Sequence, residues 1–338
     1  MMGTRYNDSP KFIYEHLIKQ QEFGHLKCVW AFENPKQFPD LETVKIDSFK
    51  FFITALKAKY WIASTHLERG LKFKKKNTVY LYTCHGTAIK LCGNSCPGRK
   101  DFDYSNVDYI CVASEFDKNV MVKSFKANKN SFIETGRPCN DVLWDVDKHT
   151  TEDCKIKLGL PLNKKIILYA PTWRDSVDKG ASYELKPPIN FKKWEEKLGD
   201  EYVVLFRAHQ ITNKILGIEF NSFVRDFSEY PEINDLLIAS DLLISDYSAV
   251  LTDFAILERP IFCFAYDYDD YLLKRGTYFD LNDKMPSGVL KTEDELIKKI
   301  LSLDADLEKE RTKKFKAEFD QFGGKATETC VDILFRGN

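Results

Sequence analysis

Short hydrophobic runs alternate with amphipathic stretches along the first half of the chain. Residues 10–21 carry Phe12, Ile13, Leu17 and Ile18 at helical spacing, and the apolar run 26–32 that follows reads as a strand. A helix over 48–57, strands over 60–63, 79–83 and 109–113, and a helix over 115–125 continue the pattern. Strands alternating with helices imply a parallel sheet covered on both faces. No hydrophobic strand precedes the 10–21 helix, where a doubly wound lobe usually has one, so this lobe reads as truncated at its start.

After Gly136-Arg137-Pro138 and a polar connector over 145–153, the alternation restarts. Strands are predicted over 165–170, 202–207, 242–245 and 261–266, and helices over 191–198, 232–239, 249–257 and 293–303. Two such sets predict an α/β protein of two Rossmann-like lobes facing a central cleft, residues 1–146 and 147–338, with the last helix packing back on the first lobe. Ligands of such sheets bind beyond the carboxyl ends of the strands, which directs attention to the residues after each strand. The loop 175–188 reads as a mobile segment over the cleft.

Composition narrows the function. The 338 residues are 43% apolar and 30% charged, with a formal net charge of −1, so no global field draws in nucleic acid. Nine cysteines lie scattered in hydrophobic runs without a secretory signal and read as reduced thiols. Cys92 and Cys96 have no second pair to complete a zinc site. The longest apolar runs fall far short of the ~20 residues of a membrane-spanning helix. Lys72 and the three lysines 74–76 read as a solvated edge.

The chemistry-bearing residues follow strands. His85, in Thr83-Cys84-His85-Gly86-Thr87-Ala88-Ile89-Lys90, sits where a cleft-facing base would stand, beside a glycine that lets the backbone approach a ligand. An imidazole, with an ordinary pKa of ~6.5, can take a proton from an attacking hydroxyl at physiological pH. Gly86, Thr87 and Lys90 join it as acceptor-side candidates, as do Arg137 and Asn140 in Gly136-Arg137-Pro138-Cys139-Asn140-Asp141, where a hinge role competes. In the second lobe, Arg207 and His209 end a strand and suit phosphate oxygens or a leaving phosphate. Thr172 and Arg174 close another strand and offer a hydroxyl and a cation. Ser248 is placed to cap a helix whose free N–H groups at 249–251, Ala249 first, would hold a diphosphate. Asp246 either orients that loop or accepts hydrogen bonds from the donor's hydroxyls. Asp246 and Asp253 do not supply an octahedral set, so neither a metal nor another cofactor is expected. The dinucleotide, Walker A, zincin and nucleophile-elbow motifs are missing, which removes nicotinamide, ATPase and serine-hydrolase readings.

In order, H-G-T-x-x-K at 85–90, G-R-P-x-N-D at 136–141, I-L-Y-A-P-T-W-R-D at 167–175, R-A-H at 207–209 and S-D-Y-S-A at 245–249 resemble the CDP-glycerol glycerophosphotransferase family. D-F-A-I-L-E-R-P-I at 253–261 and R-G-T-Y-F-D at 275–280 extend the match. The resemblance implies a GT-B-like fold and transfer of glycerol phosphate, or another polyol phosphate such as ribitol phosphate, from a CDP-activated donor to a hydroxyl of a teichoic-acid-like or capsular polymer or its lipid-linked primer. It places the donor at Arg174, Arg207, His209, Ser248 and Ala249, with Thr252 alongside, and the acceptor near His85. It also implies a cytoplasmic protein with peripheral contact to the inner face of the membrane. The sequence departs from the family pattern at Ala249, Thr252, Gln210 and Cys84. A nucleotide-sugar glycosyltransferase of the same architecture is the nearest alternative. A cytidine-nucleotide-binding protein without turnover and a sugar-nucleotide epimerase follow it.

Overall fold

The computed structural model describes residues 3–337 except 69, 173, 175–183, 186–187, 209–213 and 216–217. The chain divides into two units, one of Met1–Thr87, Cys92–Trp144 and Phe319–Asn338, the other of Ala88–Leu91 and Asp145–Glu318. The carboxyl-terminal segment thus belongs to the amino-terminal unit.

The first unit holds β1 (Trp30–Phe32), β2 (Thr43–Lys45), β3 (Tyr60–Ala63), β4 (Val79–Tyr82), β5 (Tyr109–Cys111) and β6 (Phe132–Ile133). β1 and β2 pair with each other, while β3 to β6 form a four-stranded parallel sheet in chain order. Successive side chains of a strand point to opposite faces. Tyr80 and Tyr82 accordingly join Trp61, Tyr104 and Met121 in one core, while Leu81 joins Ile13, Leu17, Cys330 and Val331 in another. The second core fastens the last helix, Ala326–Val331, to the first, Asp8–Ile18. The helix Glu115–Phe125 starts where Ser114 Oγ accepts the Asp117 N–H, and Phe49–Lys57 starts where Ser48 Oγ accepts that of Phe51.

The second unit holds β7 (Lys165–Tyr169), β8 (Glu184–Leu185), β9 (Tyr202–Phe206), β10 (Lys214–Ile215), β11 (Val224–Asp226), β12 (Leu242–Ser245), β13 (Ile261–Phe264) and β14 (Val289–Leu290). Six of them form one parallel sheet in the order β11-β9-β7-β12-β13-β14, and β8 pairs with β10. The central strands are apolar throughout because helices cover both faces; Ile166, Ile167, Leu168, Val204, Leu205 and Ile244 are all fully buried. The helix Phe191–Leu198 buries Phe191, Trp194 and Leu198, one stripe at helical spacing.

Several expectations need correction. The connector read over 145–153 contains a helix, Lys148–Lys157, whose cap is Asp147, its carboxylate accepting the Thr150 N–H at 2.8 Å. Its ten residues carry too few apolar positions to show a periodic stripe, so only the cap betrays it. The strand read over 26–32 shortens to Trp30–Phe32, and the helix read over 249–257 to Val250–Ala255. The segment 175–188 lies outside the described residues apart from 184–185 and 188.

Candidate active site

β3 and β4 run side by side, and the Thr83 N–H extends their pairing by donating to the Ala63 carbonyl at 2.9 Å. The backbone then turns sharply: Cys84 has φ +56° and Gly86 φ +142°. A left-handed conformation costs a non-glycine residue roughly 1–2 kcal/mol, a strain that gathers at functional turns. Its result is an exposed imidazole at His85. The Nδ1 atom of His85 lies 2.9 Å from the Ser64 carbonyl oxygen. A carbonyl only accepts, so Nδ1 carries the hydrogen and Nε2 the lone pair. The ring is therefore held in the tautomer whose Nε2 accepts a proton.

Thr87 is fully buried, its hydroxyl donating at 3.2 Å to Asp117, which also accepts the Ala113 N–H. It anchors the turn to the helix behind. Lys90 belongs to the second unit, where residues 88–91 pair with 276–278 through Leu91 to Gly276 at 3.0 Å and Tyr278 to Ile89 at 2.9 Å. Arg137 and Asn140 are both 4% exposed, and the Arg137 guanidinium stands 3.7 Å from the Asp320 carboxylate. Gly136, at φ +72°, packs so closely that a Cβ would meet the Phe322 carbonyl at 2.4 Å. Asp141 accepts the N–H groups of Ala326 and Thr327 at 2.9 and 2.7 Å, satisfying the start of the last helix. The G-R-P-x-N-D segment thus holds the returning carboxyl-terminal chain; an acceptor contact by Arg137 or Asn140 does not fit their burial.

In the second unit, Asp246 is buried after β12 and accepts the N–H groups of Thr172 and Tyr247, both at 2.8 Å. Its other oxygen meets Arg174 Nη1 at 2.9 Å. Arg174 also donates through Nε and Nη2 to Asp267 at 2.6 and 3.0 Å and through Nη1 to the Thr172 carbonyl at 2.6 Å. Three of its five N–H donors are therefore hydrogen-bonded to protein oxygens, and Nη1 is also ion-paired with Asp246. Its guanidinium lies 5.1 Å from the Tyr247 ring centroid and 5.0 Å from that of Tyr266. Burial alone would lower the guanidinium pKa, but the two carboxylates raise it, so the charge is permanent. The Tyr247 phenol, pushed up by burial and then by Asp267 and Asp246, stays protonated and donates to Asp267 at 2.9 Å. Arg174, expected to reach phosphate, holds the loop after β12 through these contacts.

After β9, Arg207 donates through Nη1 to the carbonyls of Phe227 and Tyr230 at 2.9 and 2.7 Å. The helix after Asp246 is only six residues long, with Ala249 rather than Ser248 at its cap position. Val250 N–H donates to Ser248 Oγ at 3.3 Å and Leu251 N–H to the Ser248 carbonyl at 3.2 Å, so the free donors expected over 249–251 are largely taken. The Thr252 hydroxyl is fully buried and donates to the Ala249 carbonyl at 2.8 Å, which explains it as helix structure. The Thr172 hydroxyl is buried and has no hydrogen-bond partner among the described residues. His209 lies outside the described residues. Among those described, no group of three His, Cys, Asp or Glu side chains is placed to hold a metal ion.

The sequence model of the family described as CDP-glycerol:poly(glycerophosphate) glycerophosphotransferase matches residues 1–336. The chain belongs to this family. It is 32% identical over 361 residues to the teichoic acid poly(glycerol phosphate) polymerase of Staphylococcus epidermidis, covering 99% of this chain and 49% of that protein. With the teichoic acid glycerol-phosphate transferase of Staphylococcus aureus it shares 31% identity over 331 residues, 89% of this chain and 82% of the other. The solved structure of the wall teichoic acid polymerase TagF superposes with a TM-score of 0.83 at 30% identity, over 99% of this chain and 87% of that one. The chain spans about half the length of the S. epidermidis polymerase.

Family membership settles the fold class as GT-B-like, built from two Rossmann-like α/β units. Two residues of the site carried no motif signal. Ser64, whose carbonyl sets the His85 tautomer, and Asp267, which shares Arg174 with Asp246, lie outside every motif. Ser64 acts through its backbone and leaves no side-chain signature; Asp267, three residues past β13, could have been found as an acid after a strand.

Proposed function

We propose that this chain transfers a polyol phosphate, with glycerol phosphate the first candidate, from a CDP-activated donor to a hydroxyl of a teichoic-acid-like or capsular polymer or of its lipid-linked primer. The acceptor oxygen attacks the β-phosphorus, its proton passes to His85 Nε2, and the bond from that phosphorus to the bridging oxygen breaks. CMP leaves with the electron pair. Such a displacement needs positioning and charge stabilisation more than covalent help. Arg207, His209 and Ser248 are assigned to the donor's phosphates, with Asp246 and Arg174 framing them. The lipid link of the acceptor would bring the protein to the inner face of the cytoplasmic membrane as a peripheral partner; no helix among the described residues is long and apolar enough to cross it.

The observation that carries the reading is the exposed His85 ring, locked by Ser64 with Nε2 as acceptor, within the residues that the family model matches. In an assay of CMP release from CDP-glycerol with a lipid-linked primer, His85→Ala is expected to lower turnover by about 10²–10⁴-fold while donor affinity holds. Undiminished turnover removes His85 from the base role. CDP-ribitol and UDP-sugars run in parallel identify the donor, and EDTA is expected to leave turnover intact.

A further inference from the structure

The Ser64 carbonyl sits on a loop with no secondary structure of its own, yet it must hold its place to within hydrogen-bond distance of His85 Nδ1. What holds that loop is buried in the neighbouring strand. Tyr80, in the middle of β4, is fully buried, and its phenol oxygen accepts the Leu67 N–H at 2.8 Å. The same hydroxyl reaches the Thr65 carbonyl at 3.5 Å. Further along, Glu68, 1% exposed, accepts the Lys74 N–H at 2.6 Å and the Asn106 side-chain amide. His66 lies stacked on Tyr104, centroids 4.3 Å apart. The Tyr80 contact is the one next to Ser64.

We infer that Tyr80 is a positioning residue for His85: its hydroxyl pins residues 65–67, and through them the Ser64 carbonyl that keeps the hydrogen on Nδ1 and the lone pair on Nε2. This rests on the reading of His85 as base. A base in the wrong tautomer presents a hydrogen where it should present a lone pair, and catalysis falls although the site is otherwise intact. Tyr80 never touches substrate. Its effect is transmitted by two hydrogen bonds and three residues of backbone.

The test is Tyr80→Phe in the full chain, which keeps the ring in its core and deletes the hydroxyl. Long-range 1H–15N correlation spectra of histidine-labelled protein should show His85 protonated at Nδ1 in the wild type and a shift toward Nε2 protonation in the variant. The turnover number should fall by about tenfold with the KM for CDP-glycerol unchanged. Exchange of the Leu67 amide should quicken. Asn106→Ala, which frees the Glu68 end of the loop from outside the core, supplies a milder variant and should move the tautomer in the same direction. If Tyr80→Phe is folded and neither tautomer nor turnover changes, the proposal fails, whatever His85→Ala does. If the tautomer shifts but His85→Ala stays active, the base reading fails and Tyr80 has no part in the reaction. Should Tyr80→Phe not fold, an unmoved tautomer in Asn106→Ala overturns the inference.

Discussion

The turn at His85 and the loop at Asp246 both follow a strand of a parallel sheet, yet they are built in opposite ways. His85 is exposed and anchored by one hydrogen bond from Nδ1, on a backbone bent through two positive φ values. Asp246 is buried, its two oxygens taken by Thr172, Tyr247 and Arg174, and Arg174 in turn is gripped by Asp267. One region leaves a lone pair unspent, whereas the other spends nearly all its hydrogen-bonding capacity on itself. A reacting group must be available, while the frame that orients a substrate must be rigid. Charge type alone does not tell the two apart: Arg174, an arginine after a strand, reads as a phosphate ligand from sequence, and in the structure it is bound to Asp246, Asp267 and the Thr172 carbonyl.

The largest expected effect breaks that frame. Arg174→Ala leaves Asp246 and Asp267 close together without their shared cation, and losing one partner of a buried ion pair costs about 3–5 kcal/mol. Chemical denaturation should register a loss of that size. If Arg174 were instead a phosphate ligand with a dispensable structural role, stability would stay within ~0.5 kcal/mol and only the donor KM would rise. Lysine at 174 keeps the charge but not the fork geometry, and should recover only part of the loss.

A smaller effect separates two hydroxyls four residues apart. Thr252→Val removes the buried bond to the Ala249 carbonyl and should cost about 1 kcal/mol in stability while the donor KM stays put. Ser248→Ala, at a half-buried position, should do the reverse, raising the donor KM several-fold with little change in melting temperature. Equal behaviour of the two variants would erase the distinction between frame and contact in this loop.

The sheet strands were legible because their apolar runs are short, β-branched and bounded by polar turns; β12 falls where expected at 242–245, and the helix 191–198 is unchanged. The short edge strands β2, β6, β11 and β14 were not legible, for two or three residues carry too little periodicity to register. At the candidate site, the exposed turn at His85 was legible because a glycine and a strand end flank it. The roles of Thr87, Arg137 and Thr252 were not, since each is decided by a partner distant in sequence or by a backbone carbonyl: Asp117, Asp320 and Ala249. Residue type and local pattern suggest what a side chain can do, and only packing decides what it is left free to do.

The smallest effect compares His85 with its near neighbour His66. The His66 ring is partly buried against Tyr104, and its Nε2 has no partner among the described residues. Burial lowers its pKa below the ordinary histidine value, against an opposing pull from Glu68 and Asp103. The unfolded chain therefore binds a proton that the folded chain resists, so stability rises with pH across that window and falls as the pH drops below about 6.5. Because the two carboxylates oppose the burial, the slope should be shallower than burial alone would give. His66→Phe keeps the stack on Tyr104 and removes the titration. Melting temperatures measured between pH 7.5 and 5.5 should decline less in His66→Phe than in the wild type, and an identical decline would show that acid sensitivity arises elsewhere. The contrast with His85 would then be one of environment alone: the same imidazole, kept neutral by packing in one place and held ready to accept a proton in the other.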